Sequence, residues 1–236
     1  GDVASALSAT ASGSNALVWY DENQIEITAG APSPSTATVT SLTYYVAQET
    51  STGCEGPKST ITVTVSDLPS KPSATTAIEY CKGDVASALS ATASGSHTLV
   101  WYDTDGTTEL TSGAPTPSTA SVGSTDYYVA QKNNTTGCEG PQETITVTVN
   151  ALPVAPNATT TLDYCEGATA SALVATPLAN HTLVWYDTDG TTVLSSAPTP
   201  STSSVVTTQY YVAQKKTSTG CEGPQVTITV TVVATP

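Results

Sequence analysis

The chain has 236 residues, with 20 acidic residues against six lysines and no arginine, and its formal charge of −14 repels nucleic-acid phosphates and anionic lipid alike. No apolar run approaches the roughly 18 residues of a membrane-spanning helix, so direct membrane insertion is not expected. Phe and Met are absent and nearly a third of the residues are Ser or Thr, which with abundant Val and Tyr favours strands over helices and predicts an all-β fold.

Trp19, Trp101 and Trp185 stand 82 and 84 residues apart, in "ALVWYDENQ", "TLVWYDTDG" and "TLVWYDTDG". That period is too long for a solenoid repeat, so each of three copies is expected to be a domain with its own core and its tryptophan inside it. The expected domains are 1–66, 67–150 and 151–236, the last two each opening with a linker. The first copy begins "GDVASALSATASGS", which matches the text from Gly83 onward, where Cys81 and Lys82 come just before. Copy one therefore starts after the place of its own leading cysteine, and a window cut from a longer array is expected, with any export signal outside it. Its strands are expected around Trp19, at Tyr44–Tyr45 and over Ile61, Val63 and Val65.

The linker "SDLPSKPSATT" at 66–76 follows, stiffened by paired prolines, with Leu68 expected to pack on a domain end. In copy two, strands are expected at 76–81, 88–92, 98–103, 119–122, 126–131 and 144–149. Asp105-Gly106 marks a tight turn after the tryptophan strand, and Ile145, Val147 and Val149 alternate with threonines as in a half-buried strand. A second linker at 150–160, with Leu152 in the place of Leu68, leads to copy three and its ladder Ile228, Val230 and Val232. Short strands separated by turn signals, with a tryptophan on the third, predict tandem immunoglobulin-like β-sandwiches. The tyrosine pairs at 44/45, 127/128 and 210/211 must send one ring inward and one outward. The outer ring is expected to pack across strands against Tyr20, Tyr102 or Tyr186 rather than stack on sugars.

Five cysteines pose a parity problem. Three lie in "TGCEGP" (Cys54, Cys138, Cys221) and two in "YCKG" and "YCEG" (Cys81, Cys165). Either each domain staples itself, Cys81 to Cys138 and Cys165 to Cys221 with Cys54 left over, or neighbours join, Cys54 to Cys81 and Cys138 to Cys165 with Cys221 left over. The small core of a unit without Phe or Met favours the internal staple. Against it, an immunoglobulin topology puts the end of the first strand and the loop before the last at opposite ends of the sandwich. No C-x-x-C spacing or His pair suggests a metal, and no basic neighbour activates a thiol.

"DTDGTT" places Asp103 and Asp105, then Asp187 and Asp189, two apart before a glycine, faintly like the start of a calcium loop but without the further acidic ligands. A hairpin turn is the expected role. His97 and His181 have Asn15 as their counterpart in copy one, which argues against a general base. No catalytic residue and no cofactor is expected.

Taken together, "YCxG", "LVWYD", "APTPST", "YYVAQ" and "TGCEGP" before "TITVTV" resemble the immunoglobulin-like repeats of very large surface and secreted proteins of Bacteroidota, including the adhesins of gliding species. All three copies share the resemblance, although the first lacks the leading cysteine. It implies export, by the type IX route, and a place in a surface filament or stalk. A structural or adhesive repeat is expected, with surface glycans or other copies of the filament as partners. The alternative is a carbohydrate-binding module array from a secreted polysaccharide-degrading enzyme.

Overall fold

Alternation of β-branched residues with threonine builds the central ladder of each copy, and the computed structural model, which describes residues 3–236, is all-β. Copy one forms a sheet of β1 (Ala16–Tyr20), β2 (Thr40–Glu49) and β3 (Ser59–Val65), in that order. Copy two contains β4 (Ser73–Ala74), β5 (Ala77–Cys81), β6 (Ala91–Thr92), β7 (His97–Tyr102), β8 (Gly123–Asn133) and β9 (Glu143–Asn150). Its sheet runs β5-β9-β8-β7, with β4 and β6 paired apart from it. Copy three repeats this with β10 (Asn157–Ala158), β11 (Thr161–Cys165), β12 (Ala175–Thr176), β13 (His181–Tyr186), β14 (Val193–Leu194), β15 (Thr207–Lys216) and β16 (Val226–Val233). Here the order is β11-β16-β15-β13-β14, with β10 on β12. These are tandem immunoglobulin-like sandwiches.

The strand leading each of the last two copies lies parallel to the strand that ends it. Cys81 stands opposite Asn150 at the end of β9, and Cys165 opposite Val233 at the end of β16. The core of copy two gathers Leu89, Trp101, Val129, Ile145 and Val147, with Ala74 and Ala91 of the small sheet packed against it. Leu173, Trp185, Tyr210, Val212, Ile228 and Val230 do the same in copy three. Trp19, Trp101 and Trp185 are all buried, as expected. The tyrosine pairs divide as expected too: Tyr127 and Tyr210 join the cores, while Tyr45 and Tyr211 sit directly across from Tyr20 and Tyr186.

Three expectations need correction. Residues 119–122 form no strand, and of 88–92 only Ala91–Thr92 is paired, because the Pro-rich run before the first and the close turn after the second leave no partner edge. Leu68 and Leu152 stay 49% and 42% exposed; the prolines do the packing instead, Pro69, Pro72 and Pro156 being buried. The segment at 66–76, expected as a stiffened linker, is therefore part of the fold, with β4 inside it.

By contact the chain divides into two compact units that do not follow the repeat. One runs to Lys71 and takes in Ser94–Thr98 and Gln131–Pro141; the other holds Pro72–Ala93, Leu99–Ala130 and Gln142–Pro236.

Candidate functional site

The residues that sequence repetition singles out most strongly, "TGCEGP" and "YYVAQ", converge on the segment that leads into each copy. A strand of period two carries Gln131 to the end of β8 on the buried face, where it is fully enclosed. Its Oε1 accepts from the Ser94 amide at 2.8 Å, and its Nε2 donates to the Ser70 carbonyl at 2.7 Å. Gln214 repeats the arrangement in copy three, accepting from the Leu178 amide at 2.8 Å and donating to the Val154 carbonyl at 2.7 Å. A buried amide with both ends satisfied fixes the backbone it holds, since losing either bond strands a polar group away from water.

The second glycine of "GCEGP" completes this clamp. A Cβ on Gly140 would lie 2.2 Å from the Pro69 carbonyl oxygen, and one on Gly223 2.3 Å from that of Pro153. Only glycine lets the leading segment cross so close. The first glycine serves a different purpose, adopting a left-handed φ of 74° at Gly137 and 73° at Gly220 to close the turn before the cysteine. The glutamate accepts a tyrosine hydroxyl: Tyr20 donates to Glu55 and Tyr186 to Glu222. Both phenols are held up at about 12, Tyr20 chiefly by its bond to Glu55 and Tyr186 by burial and then Glu222. Each motif position thus has a mechanical reason.

The cysteine joins one copy to the next. Cys81, at the end of β5 in copy two, is bonded to Cys221 of copy three, with Cα atoms 5.5 Å apart and a sequence separation of 140. Cys54, Cys138 and Cys165 are free thiols. Neither expected pairing forms, so the disulfides assigned to Cys138 and Cys165, and the partners assigned to Cys81 and Cys221, are corrected. The register gives the reason for the internal staples. Because β5 is parallel to β9, Cys81 reaches the end of that strand while Cys138 lies before its beginning, and eight residues of strand span roughly 26 Å against the 7 Å limit for a bridge. Cys165 and Cys221 are kept apart in the same way by β16. Cys54 is free in the structure, as the first pairing had it.

The "DTDGTT" carboxylates hold turns. Asp105 accepts from the Thr107 and Thr108 amides at 2.8 Å each and from the Thr108 hydroxyl at 2.6 Å, and Asp189 does the same with Thr191 and Thr192. These bonds, the threonine hydroxyl foremost, depress both carboxyls far below the ordinary range. Asp103 and Asp187 bond the next amide, Thr104 at 2.7 Å and Thr188 at 2.8 Å. Among the described residues no group of three or more His, Cys, Asp or Glu is placed to hold a metal. His97 and His181 open β7 and β13, where His97 meets Ser94 and His181 the Ala179 carbonyl. Gln131 and Gln214 were not foreseen as functional, although a polar residue closing the apolar "YYVA" run in every copy was a legible signal.

Tandem immunoglobulin-like sandwiches, the last two each gripping the segment that leads into it, define a class of modular repeat protein. The sequence model of the family "Ig-like domain CHU_C associated" matches residues 69–151 and 153–234, and the chain belongs to that family. No curated protein matches it. Among solved structures it is similar to the fibronectin(III)-like modules of Clostridium thermocellum CbhA, at 13% identity over 69% of this chain and 92% of that one, with a TM-score of 0.36. It is also similar to immunoglobulin domains 1–5 of Sidekick-1, at 13% identity over 94% and 54%, TM-score 0.24, and to the insect immune protein hemolin, at 10% over 98% and 70%, TM-score 0.29.

Proposed function

We propose that this chain is a load-bearing spacer in an extracellular surface protein, whose repeats carry an adhesive end away from the cell or adhere by many weak contacts. One observation supports this above all: the bond from Cys81 to Cys221 ties copy two to copy three. Such a bond persists in oxidising surroundings, outside the cytoplasm. It also takes the chain between the two cysteines out of the line of force. The Bacteroidota resemblance extends the reading to a surface filament exported by the type IX route, and the charge of −14 favours solubility of such a stalk.

Single-molecule pulling from the two ends tests this. Under oxidising conditions the 140-residue span should stay closed; reduction should release about 460–500 Å of extra extension. Equal extension before and after reduction would sink the load-bearing role. A glycan array that lights up with this chain would favour the carbohydrate-module alternative over a spacer.

A further inference from the structure

The peptide chain and the disulfide cross from copy two to copy three side by side. In copy two both leave from one end of the sheet: Cys81 closes β5, Asn150 closes β9, and they stand opposite each other on strands about 4.8 Å apart. The Lys82 amide donates to the Asn150 carbonyl at 2.9 Å, and the Asp84 carboxylate accepts from the Cys81 amide at 2.7 Å. The backbone at Cys81 is therefore fixed to its own sandwich. In copy three both land on one short stretch. Cys221 is held by its carbonyl, which accepts from the Lys216 amide at 2.9 Å, and two residues on Gly223 lies against the Pro153 carbonyl. Val154 is gripped next, through the bond from Gln214 to its carbonyl. Between Asn150 and Pro153 stand only Ala151 and Leu152, neither of them in a strand. Leu152 precedes a proline, which confines it to extended conformations.

A single short connection leaves two domains free to swing and twist about its backbone torsions. A second attachment beside the first closes a small ring and removes that freedom. We propose that the Cys81–Cys221 bond is a redox-controlled lock on the orientation of copy three relative to copy two. Closed, it makes the two copies turn as one body. Opened, it leaves them hinged at Ala151 and Leu152, while each keeps its own core. The lock works with no load on the chain, so it stands apart from the load-bearing role. Opening needs an external thiol, and burial decides where that thiol strikes: Cys221 is fully buried and Cys81 half-buried. The attacking thiolate bonds to the Cys81 sulfur, the S–S bond breaks, and its electron pair leaves on Cys221, which takes up a proton. A second thiolate then attacks the reagent sulfur of the mixed disulfide. Cys81 departs with that electron pair and is protonated, and the two reagent molecules leave as a disulfide. Two electrons and two protons pass from reagent to protein.

The test uses the full chain with Cys54→Ser, Cys138→Ser and Cys165→Ser, so that no other thiol exchanges. Residual dipolar couplings of the backbone amides report how each copy is aligned. In the oxidised chain, β5 and β9 should share one alignment tensor with β11 and β16. After reduction with dithiothreitol the two pairs should need separate tensors, differing in magnitude by at least about twofold, while the Trp101 and Trp185 indole signals keep their folded positions. With glutathione in place of dithiothreitol, and an early quench with iodoacetamide, the mixed disulfide should sit on Cys81 at least about tenfold more often than on Cys221. Separate tensors already in the oxidised chain, one shared tensor after reduction, loss of either core on reduction, or glutathione divided equally between the two cysteines would each overturn the proposal.

Discussion

Copies one and three carry nearly the same last strand, yet Ile61, Val63 and Val65 are only half-buried while Ile228, Val230 and Val232 are at most 2% exposed. The tryptophans do not differ, at 4% for Trp19 and 6% for Trp185. What separates them is the parallel strand: β16 has β11 on its outer edge, and β3 has none among the described residues. The tryptophan is buried in every copy. The outer edge of each of the last two sandwiches is completed by the segment that leads into it, and that segment is gripped by a buried glutamine and a glycine that admits no side chain.

The largest test of this difference is the disulfide. Cys81→Ser, or reduction, should cost copies two and three about 2–5 kcal/mol, since the bond closes a long loop, and should leave copy one unchanged. Denaturant unfolding followed by hydrogen exchange separates the copies; uniform loss across all three would contradict the assignment. Next in size is the glycine of the clamp. Gly223→Ala should destabilise by about 1–3 kcal/mol because its Cβ would overlap the Pro153 carbonyl, whereas Gly56→Ala should stay within about 0.5 kcal/mol. A comparable cost at both positions in thermal melts would mean that the clamp does not distinguish the copies. Gln214→Ala should cost about 1–3 kcal/mol by stranding the Val154 carbonyl and the Leu178 amide. Gln48→Ala should cost less, because Gln48 is only partly buried.

The smallest effect is expected in alkali. Tyr20 and Tyr186 are raised from 10 to about 12 in the folded chain, so the folded state favours the neutral phenol. The stability this adds is complete below pH 10 and is lost as pH rises through about 12. Phenolate absorbance should show Tyr20 and Tyr186 ionising near pH 12, and Glu222→Gln should bring Tyr186 down without moving Tyr20. A common titration would show that the glutamates of "GCEGP" do not hold the hydroxyls.

The cysteines show where reading along the chain stops. Their motifs and the odd count were legible, but pairing depends on which ends of two strands meet, and Cys81 and Cys138 are separated by the full length of β9. The leading segment was mistaken for a connector for a related reason. Its polar, proline-rich text signals extended chain, but nothing in its composition announces that Gln131 would bond the Ser70 carbonyl or that Gly140 would lie under Pro69. Copy one also reaches an arrangement of its own at the turn after its tryptophan strand. "DENQ" replaces "DTDG" there, and Lys58 lies over the Tyr20 ring at 3.3 Å, where Gln142 and Gln225 instead donate to the carbonyls of Gly106 and Gly190.

By itself the sequence determined the all-β class, the threefold repetition, the buried tryptophans, the inward and outward tyrosines and the turns at Asp105 and Asp189. Each of these depends on a period or on residues a few positions apart, where local sterics and side-chain alternation suffice. Tertiary structure alone decided the parallel edge strand, the glutamine clamp and the bond between copies. Those contacts join residues about 60 to 140 positions apart, and their partners are set by strand direction and register, which no local pattern encodes.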